Sequence, residues 1–366
     1  MLRGSRGQLW GKLHIDPPLV GGVLMLCAIG LVVLFSASDQ STDIVIKQGA
    51  RMGLGLGLMV AVAQLSPARL ARWAPALYLV GTGLLILTAV IGTGRGAHRW
   101  LELGFLRFQP SEIMKLATPL TVAWFLRDKL LPPRLPVIAT ALVLVALPAA
   151  LIAEQPDLGT AILVAAAGLV VLFFAGIPWR FIGLAVAAGV SLAPIAWYSM
   201  HGYQRQRILT MLDPAADPLG AGYHIIQASI AVGSGGWSGK GWLNGTQSHL
   251  EFLPEHATDF IFAVYCEEFG LIGVLVLLSA YLLVLVRGVT IALGAQDTFG
   301  RLMAASLTFT LFTYVFVNMG MVLGQLPVVG VPLPLISYGG TSLVTLLTGL
   351  GILMSIQTHR RYLANT

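Results

Sequence analysis

The chain has 366 residues, of which 56% are hydrophobic and only 10% charged, with a mean hydropathy of +0.82. A soluble globule of this length needs more charge to coat its surface, so the composition excludes a water-soluble enzyme and indicates a polytopic membrane protein. The formal net charge of +6 comes from a bias between loops, not from a basic tail with interleaved aromatics, which argues against a nucleic-acid partner.

In chain order, apolar runs able to cross roughly 30 Å of hydrocarbon as helix fall at about 18–36, 50–66, 75–93, 136–153, 158–175, 179–199, 262–286, 301–324 and 341–357. A tenth, 110–126, begins with Pro110, Ser111 and Glu112, which suit a first helical turn and its positive dipole end. Glu112 and Lys115 make it atypical, but the expected architecture is an all-α membrane protein of about ten spans. Arg3, Arg6 and Lys12 precede the first span in the manner of a signal peptide. Its apolar core is longer than such peptides carry, so it is expected to stay as an anchor. Cys27 and Cys266 fall inside spans, where neither a disulfide nor a metal site is expected.

Alternate loops hold thirteen Lys and Arg residues and the opposite loops eight, which places both termini in the cytoplasm. The eight on the unfavoured side are Lys47, Arg51, Arg95, Arg99, Arg107, Arg205, Arg207 and Lys240, and they call for a functional explanation. Residues 1–366 read as one membrane domain without a fixed repeat or two similar halves, which lowers the expectation of a rocking-bundle carrier. Between the seventh and eighth spans, residues 200–261 form a long outer loop of the kind that carries function. Shorter outer segments are 39–48, 93–112, 154–160 and 325–342. In the last, Pro327, Pro332, Pro334, Gly330, Gly339 and Gly340 exclude a regular helix at membrane depth, so this backbone must line a cavity or be buried in protein.

Chemistry concentrates in 253-LPEHATDFIFAV-264. Pro254 suggests a helix start, on which Glu255 and Asp259 would share a face. Asp259 precedes Phe260, Ile261 and Phe262, and a carboxylate at that water–hydrocarbon boundary is expected to have a raised pKa, as suits a general base. Glu255, His256 and Asp259 could serve a hard divalent cation, but not a dedicated zinc site. Glu267 and Glu268 lie deeper and must be paired, protonated or facing a wet cavity. Glu112 with Lys115, and Asp157 in its tight turn, can be read as structural ion pairs or as function. The glycines of 233-GSGGWSGKG-241 allow a backbone nest for an anion near Lys240, though without Walker spacing.

The stretches 107-RFQPSEIMK-115, 155-QPDLGT-160, 204-QRQRI-208, 217-DPLGAGYHIIQ-227, 233-GSGGWSGKG-241, 253-LPEHATDFIFAV-264 and 330-GVPLPLISYGGTS-342 resemble, in this order, the SEDS family of polytopic peptidoglycan polymerases. The likeness covers almost the whole chain and is strongest to the elongation-type, RodA-like branch. It implies a glycosyltransferase that joins lipid II into β-1,4 glycan strands on the outer face of the bacterial cytoplasmic membrane during elongation and shape maintenance. The resemblance makes Asp259 the essential acid and general base. Lys47, Arg99, Arg107, Lys115, Arg205, Arg207 and Lys240 are then candidates for substrate and pyrophosphate binding, with Glu112, Asp157, Glu255 and His256 as a supporting polar network. Mg²⁺ or Mn²⁺ could assist, with no organic cofactor. The implied partners are a class B penicillin-binding protein transpeptidase and the elongation machinery. Where the family often has an arginine, this chain has Lys47, which keeps charge but loses a bidentate grip. The rival readings are a flippase for the lipid-linked precursor and a noncatalytic scaffold for a transpeptidase.

Overall fold

The computed structural model describes residues 14–93, 99–103, 106–200, 202–217, 221–246 and 257–360. Its helices are α1 (Pro17–Ala37), α2 (Thr42–Ala63), α3 (Pro67–Ile91), α4 (Pro110–Leu126), α5 (Leu135–Glu154), α6 (Leu158–Phe174), α7 (Trp179–Ser199), α8 (Gly202–Leu212), α9 (Ala221–Ser234), α10 (Ile261–Leu293), α11 (Thr298–Val322) and α12 (Thr341–Thr358). Between α3 and α4, strands β1 (Leu101–Leu103) and β2 (Leu106–Phe108) form an antiparallel hairpin, so the all-α expectation holds apart from this small element.

Among the described residues, α1, α2, α3, α5, α10, α11 and α12 are long and apolar enough to cross a membrane, and α6 and the first part of α7 are shorter apolar helices. With α4 they occupy the ten expected positions. The chain is therefore a multi-pass, helical membrane protein. One boundary shifts: the second span was expected over 50–66, but α2 starts at Thr42 and carries Lys47, Gln48 and Arg51 on its first turns. Hydropathy counts such polar residues as loop, whereas Gln48 is fully buried against another part of the protein.

α4 is enclosed by the bundle, with Ser111, Glu112, Lys115 and Thr118 buried along it, which explains how a short span tolerates an acid and a base. It packs against α3, α5, α6 and α11. α12 runs along α2, and α10 along α1 and α11. α7 is different: residues 183–195 are all exposed, so this apolar helix stands apart from the bundle on its lipid side. At the end opposite the hairpin, Arg287 grips buried Asp16 at 2.8 Å through two nitrogens, and His14 stacks on His359 at 3.9 Å. The residues adjoining the two termini thus meet at one end of the bundle.

α10 is broken inside by Gly270, at φ +59 and ψ −161. A membrane helix cannot leave backbone groups unsatisfied at such a break. The loop after α9 supplies them. Lys240 N donates to Glu267 O (2.9 Å) and Gly241 N to Glu268 O (3.0 Å), while Leu271 N and Ile272 N donate to Gly236 O (3.0 Å) and Trp237 O (3.1 Å). A Cβ at Gly235 would overlap the Cys266 carbonyl oxygen, and one at Gly239 the Glu268 carbonyl oxygen. The glycine run is a seam filling a helix break. Its N–H groups at 240 and 241, which the sequence offered to an anion, are consumed by Glu267 and Glu268. Cys27 and Cys266 are buried free thiols.

Candidate active site

Asp259 does not lie on a helix. Residues 257–260 form a turn and α10 begins at Ile261; Glu255 and His256, and with them the shared helical face expected for Glu255 and Asp259, lie outside the described residues. The turn is hung from the segment 325–340 and from α11. Ser337 Oγ donates to Thr258 O (2.6 Å), Tyr338 N to Ala257 O (2.9 Å) and Asn318 Nδ2 to Asp259 O (2.9 Å).

That segment is irregular, as its prolines and glycines required, and Val331, Leu333, Leu335, Ile336 and Ser337 in its second half are buried in protein. Gln48 of α2 donates to Ser337 O (3.1 Å), and a Cβ on Gly30 of α1 or Gly159 of α6 would press on the carbonyls of Leu335 or Val329. Polar side chains and close-packed glycines therefore satisfy and hold a backbone that makes no helix of its own.

Asp259 opens into a polar cleft of about 410 Å³, whose lining includes Arg99, Glu112, Lys115, Asp157 and Arg207. Six residues singled out in the sequence thus converge from the post-α3 hairpin, α4, the α5–α6 turn, α8 and the turn before α10. Lys115 Nζ bonds Glu112 Oε1 at 2.7 Å and lies 5.4 Å from the centre of the Tyr314 ring. Asp157 caps α6 by accepting from Thr160 N (3.3 Å) and also accepts from Gln109 Nε2 (2.9 Å). Arg99 donates to the carbonyls of Gln155 (3.2 Å) and Pro156, which ties the hairpin to the α5–α6 turn. Gly340, Thr341 and Ser342 bring the N-terminus of α12 to the same wall.

Other expected residues are placed elsewhere. Lys47 projects outward, 59% exposed, paired with Asp43 on its own helix, and does not line the cleft. Lys240 is clasped by Glu267 (2.6 Å) and Thr246 (2.8 Å), also away from the cleft lining. Arg205 donates to the carbonyls of Trp197 (2.8 Å) and Tyr198 at the end of α7. Arg107 sits in β2, with its side chain outside the described residues. Glu267 is fully buried and paired, and Glu268 accepts from Ser36 Oγ, as acids so deep require.

Sequence reasoning missed Tyr314, Gln109 and the α12 N-terminus. Tyr314 is one phenol in a long apolar run, with no local signal to mark it. Arg51, one turn beyond Lys47, lies over the Tyr338 ring at 4.7 Å, beside Gly340. Among the described residues, no three His, Cys, Asp or Glu side chains gather as a metal centre.

A family profile described as the cell cycle protein family of FtsW, RodA and SpoVE matches residues 18–362. Peptidoglycan glycosyltransferase MrdB of Escherichia coli (strain K12) is 54% identical over 364 residues, covering 99% of this chain and 98% of the relative. A probable peptidoglycan glycosyltransferase FtsW of Alkalilimnicola ehrlichii is 36% identical over 379 residues, covering 98% and 93%. Among solved structures, a chain from a peptidoglycan synthase complex that coordinates polymerization and crosslinking superposes with TM-score 0.83 at 36% identity, covering 93% of this chain and 97% of that one. The rod shape determining protein RodA of Thermus thermophilus superposes with TM-score 0.71 at 32% identity, covering 93% and 96%.

Proposed function

The chain belongs to the FtsW, RodA and SpoVE family of cell cycle proteins and is a peptidoglycan glycosyltransferase, and from that premise we propose that it polymerises lipid II in the Asp259 cleft. The observation that carries this reading is the convergence of Asp259, Lys115 and Arg207 on one polar cleft at one end of an otherwise apolar bundle.

The reaction needs a base for the acceptor's GlcNAc 4-hydroxyl as its oxygen attacks C1 of the donor MurNAc. Asp259 takes that proton, the new C1–O bond forms as the bond to the lipid pyrophosphate breaks, and the configuration inverts to a β-1,4 link. One carboxylate suffices, unlike the two-carboxylate retaining scheme. Fixed cations stabilise the charge that grows on the leaving pyrophosphate. Lys115 is suited to this because Glu112 and Tyr314 hold it in place on a rigid, buried helix.

Arg99, Lys115 and Arg207 balance Glu112, Asp157 and Asp259 in charge, so the cleft lining is formally neutral. Such a site accepts a pyrophosphate accompanied by Mg²⁺ or Mn²⁺ better than a bare dianion. The phosphates and water would supply most of the ion's oxygen ligands, with Glu112 and Asp157 as the lining carboxylates other than the base, and the ion would neutralise the leaving group.

The same polarity supports a position on the outer face of the bacterial cytoplasmic membrane, since the cleft opens at the end opposite the basic loops. Beneath Glu112 and Lys115 the space narrows to a small, mainly apolar pocket lined by Leu116, Leu307, Leu311, Leu346 and Leu350 with Thr310 and Thr345, which favours an enzyme over a flippase needing a polar path throughout. We assign the transpeptidase partner as a class B penicillin-binding protein on the likeness to the synthase complex. The test is conversion of lipid II into muramidase-sensitive polymer by the purified chain, alone and with that partner. Absence of polymer from both, with lipid II flipping in liposomes, would overturn the reading.

A further inference from the structure

Asn318 stands fully buried in the last turns of α11. Its side-chain amide donates one hydrogen to the Asp259 carbonyl (2.9 Å) and the other to the Val331 carbonyl (2.7 Å). These acceptors belong to two different stretches: the turn that carries Asp259 and the segment that faces its carboxylate. The two stretches meet closely, because a Cβ on Gly330 would stand 3.4 Å from Asp259 Oδ2.

A primary amide has two N–H groups in one rigid plane, and here both are used. The orientation is unambiguous, since the flipped amide would set its oxygen against two carbonyl oxygens. Asn318 Oδ1, by contrast, is buried with no hydrogen-bond partner. An orphaned buried acceptor lowers stability and offsets part of what the two donated bonds contribute, so packing alone does not account for an amide here. What the amide secures is the separation of the two walls around the carboxylate. Ser337 strengthens the same clamp one residue earlier, accepting from Leu333 N (2.7 Å) while donating to Thr258 O (2.6 Å).

We propose that Asn318 is a positioning residue for glycosyl transfer: it ties the Asp259 turn to the Val331 backbone and so sets where the Asp259 carboxylate meets the acceptor hydroxyl. The inference rests on Asp259 being the base. A displaced base leaves substrate binding intact and slows the chemical step, and misplacement by about 1 Å is enough to cost on the order of 100-fold.

The experiment compares wild type, Asn318→Leu and Asp259→Ala as purified full chains with the transpeptidase partner, measuring lipid II polymerisation per folded molecule. The expected result is a kcat about 10- to 100-fold lower for Asn318→Leu, with KM within about twofold and an unchanged size-exclusion profile. Wild-type kcat, or a change in KM alone, in Asn318→Leu beside an inactive Asp259→Ala overturns the Asn318 role and leaves Asp259 standing. Polymer from Asp259→Ala overturns the base assignment itself. Should Asn318→Leu fail to fold, Ser337→Ala carries the test: it removes the Thr258 tether together with the acceptor for Leu333 N. Its kcat is expected to fall about 3- to 10-fold at constant KM, and an unchanged kcat overturns the clamp.

Discussion

Gly239→Ala tests whether 233-GSGGWSGKG-241 is a structural seam or an anion site. Gly239 has φ +76, and a Cβ there would overlap the Glu268 carbonyl oxygen, so the loop must back away from the broken α10. Four backbone hydrogen bonds cross that seam. At about 0.5–1.5 kcal/mol each, their loss costs about 2–6 kcal/mol, and a left-handed alanine adds about 1–2 kcal/mol. Burial away from water places the effect toward the upper end. The matched control is Gly233→Ala, where a Cβ meets nothing within 4 Å on the regular helix α9, and where a gain of a few tenths of a kcal/mol is expected. Thermal unfolding in detergent, followed by polymerisation per folded molecule, separates the two readings. Equal stability of Gly239→Ala and Gly233→Ala, with a raised KM for lipid II only in Gly239→Ala, would refute the seam and restore the anion nest.

Three further outcomes follow from the same geometry. Lys240→Met removes the ammonium from the buried Glu267 carboxylate but leaves its Thr246 donors; it is expected to destabilise by about 1–3 kcal/mol at unchanged KM, and a raised KM at normal stability would return Lys240 to the substrate. Lys115→Met is expected to lower kcat at least about 100-fold, whereas exposed Lys47→Met stays within about threefold; equal losses in polymerisation assays would contradict the cleft assignment. Burial, reinforced by His14 and Arg69, holds His359 below the ordinary histidine range against the raising effect of its bond to Ser355 O. The unfolded chain therefore binds the proton more readily: the stabilisation is complete above an ordinary histidine pKa of about 6.5 and is lost as pH falls through the lowered value. Unfolding midpoints should drop on acidification, and less so in His359→Asn; identical pH slopes for the two would contradict it.

The spans were legible because lipid demands long apolar runs, and α4 because Pro110 and Glu112 mark a helix start. The origin of α2 was not, since Gln48 is polar for the sake of Ser337, 289 positions away. Asp259 stood out through its family motif, but its turn geometry depends on Asn318 and Ser337, which nothing nearby in the sequence announces. The glycine run permitted two backbone uses, and only the break at Gly270 decides between them. Lys240 looked available to substrate because Glu267, its partner, lies 27 positions away, past the segment that separates the glycine run from α10.

The central claim, that Asp259 performs the proton transfer, is tested most directly by Asp259→Ala in purified, folded full-length chain with its partner and lipid II. The expected result is lipid II binding at near wild-type affinity with no glycan polymer formed. Polymer accumulating at a rate near that of the wild type would contradict it.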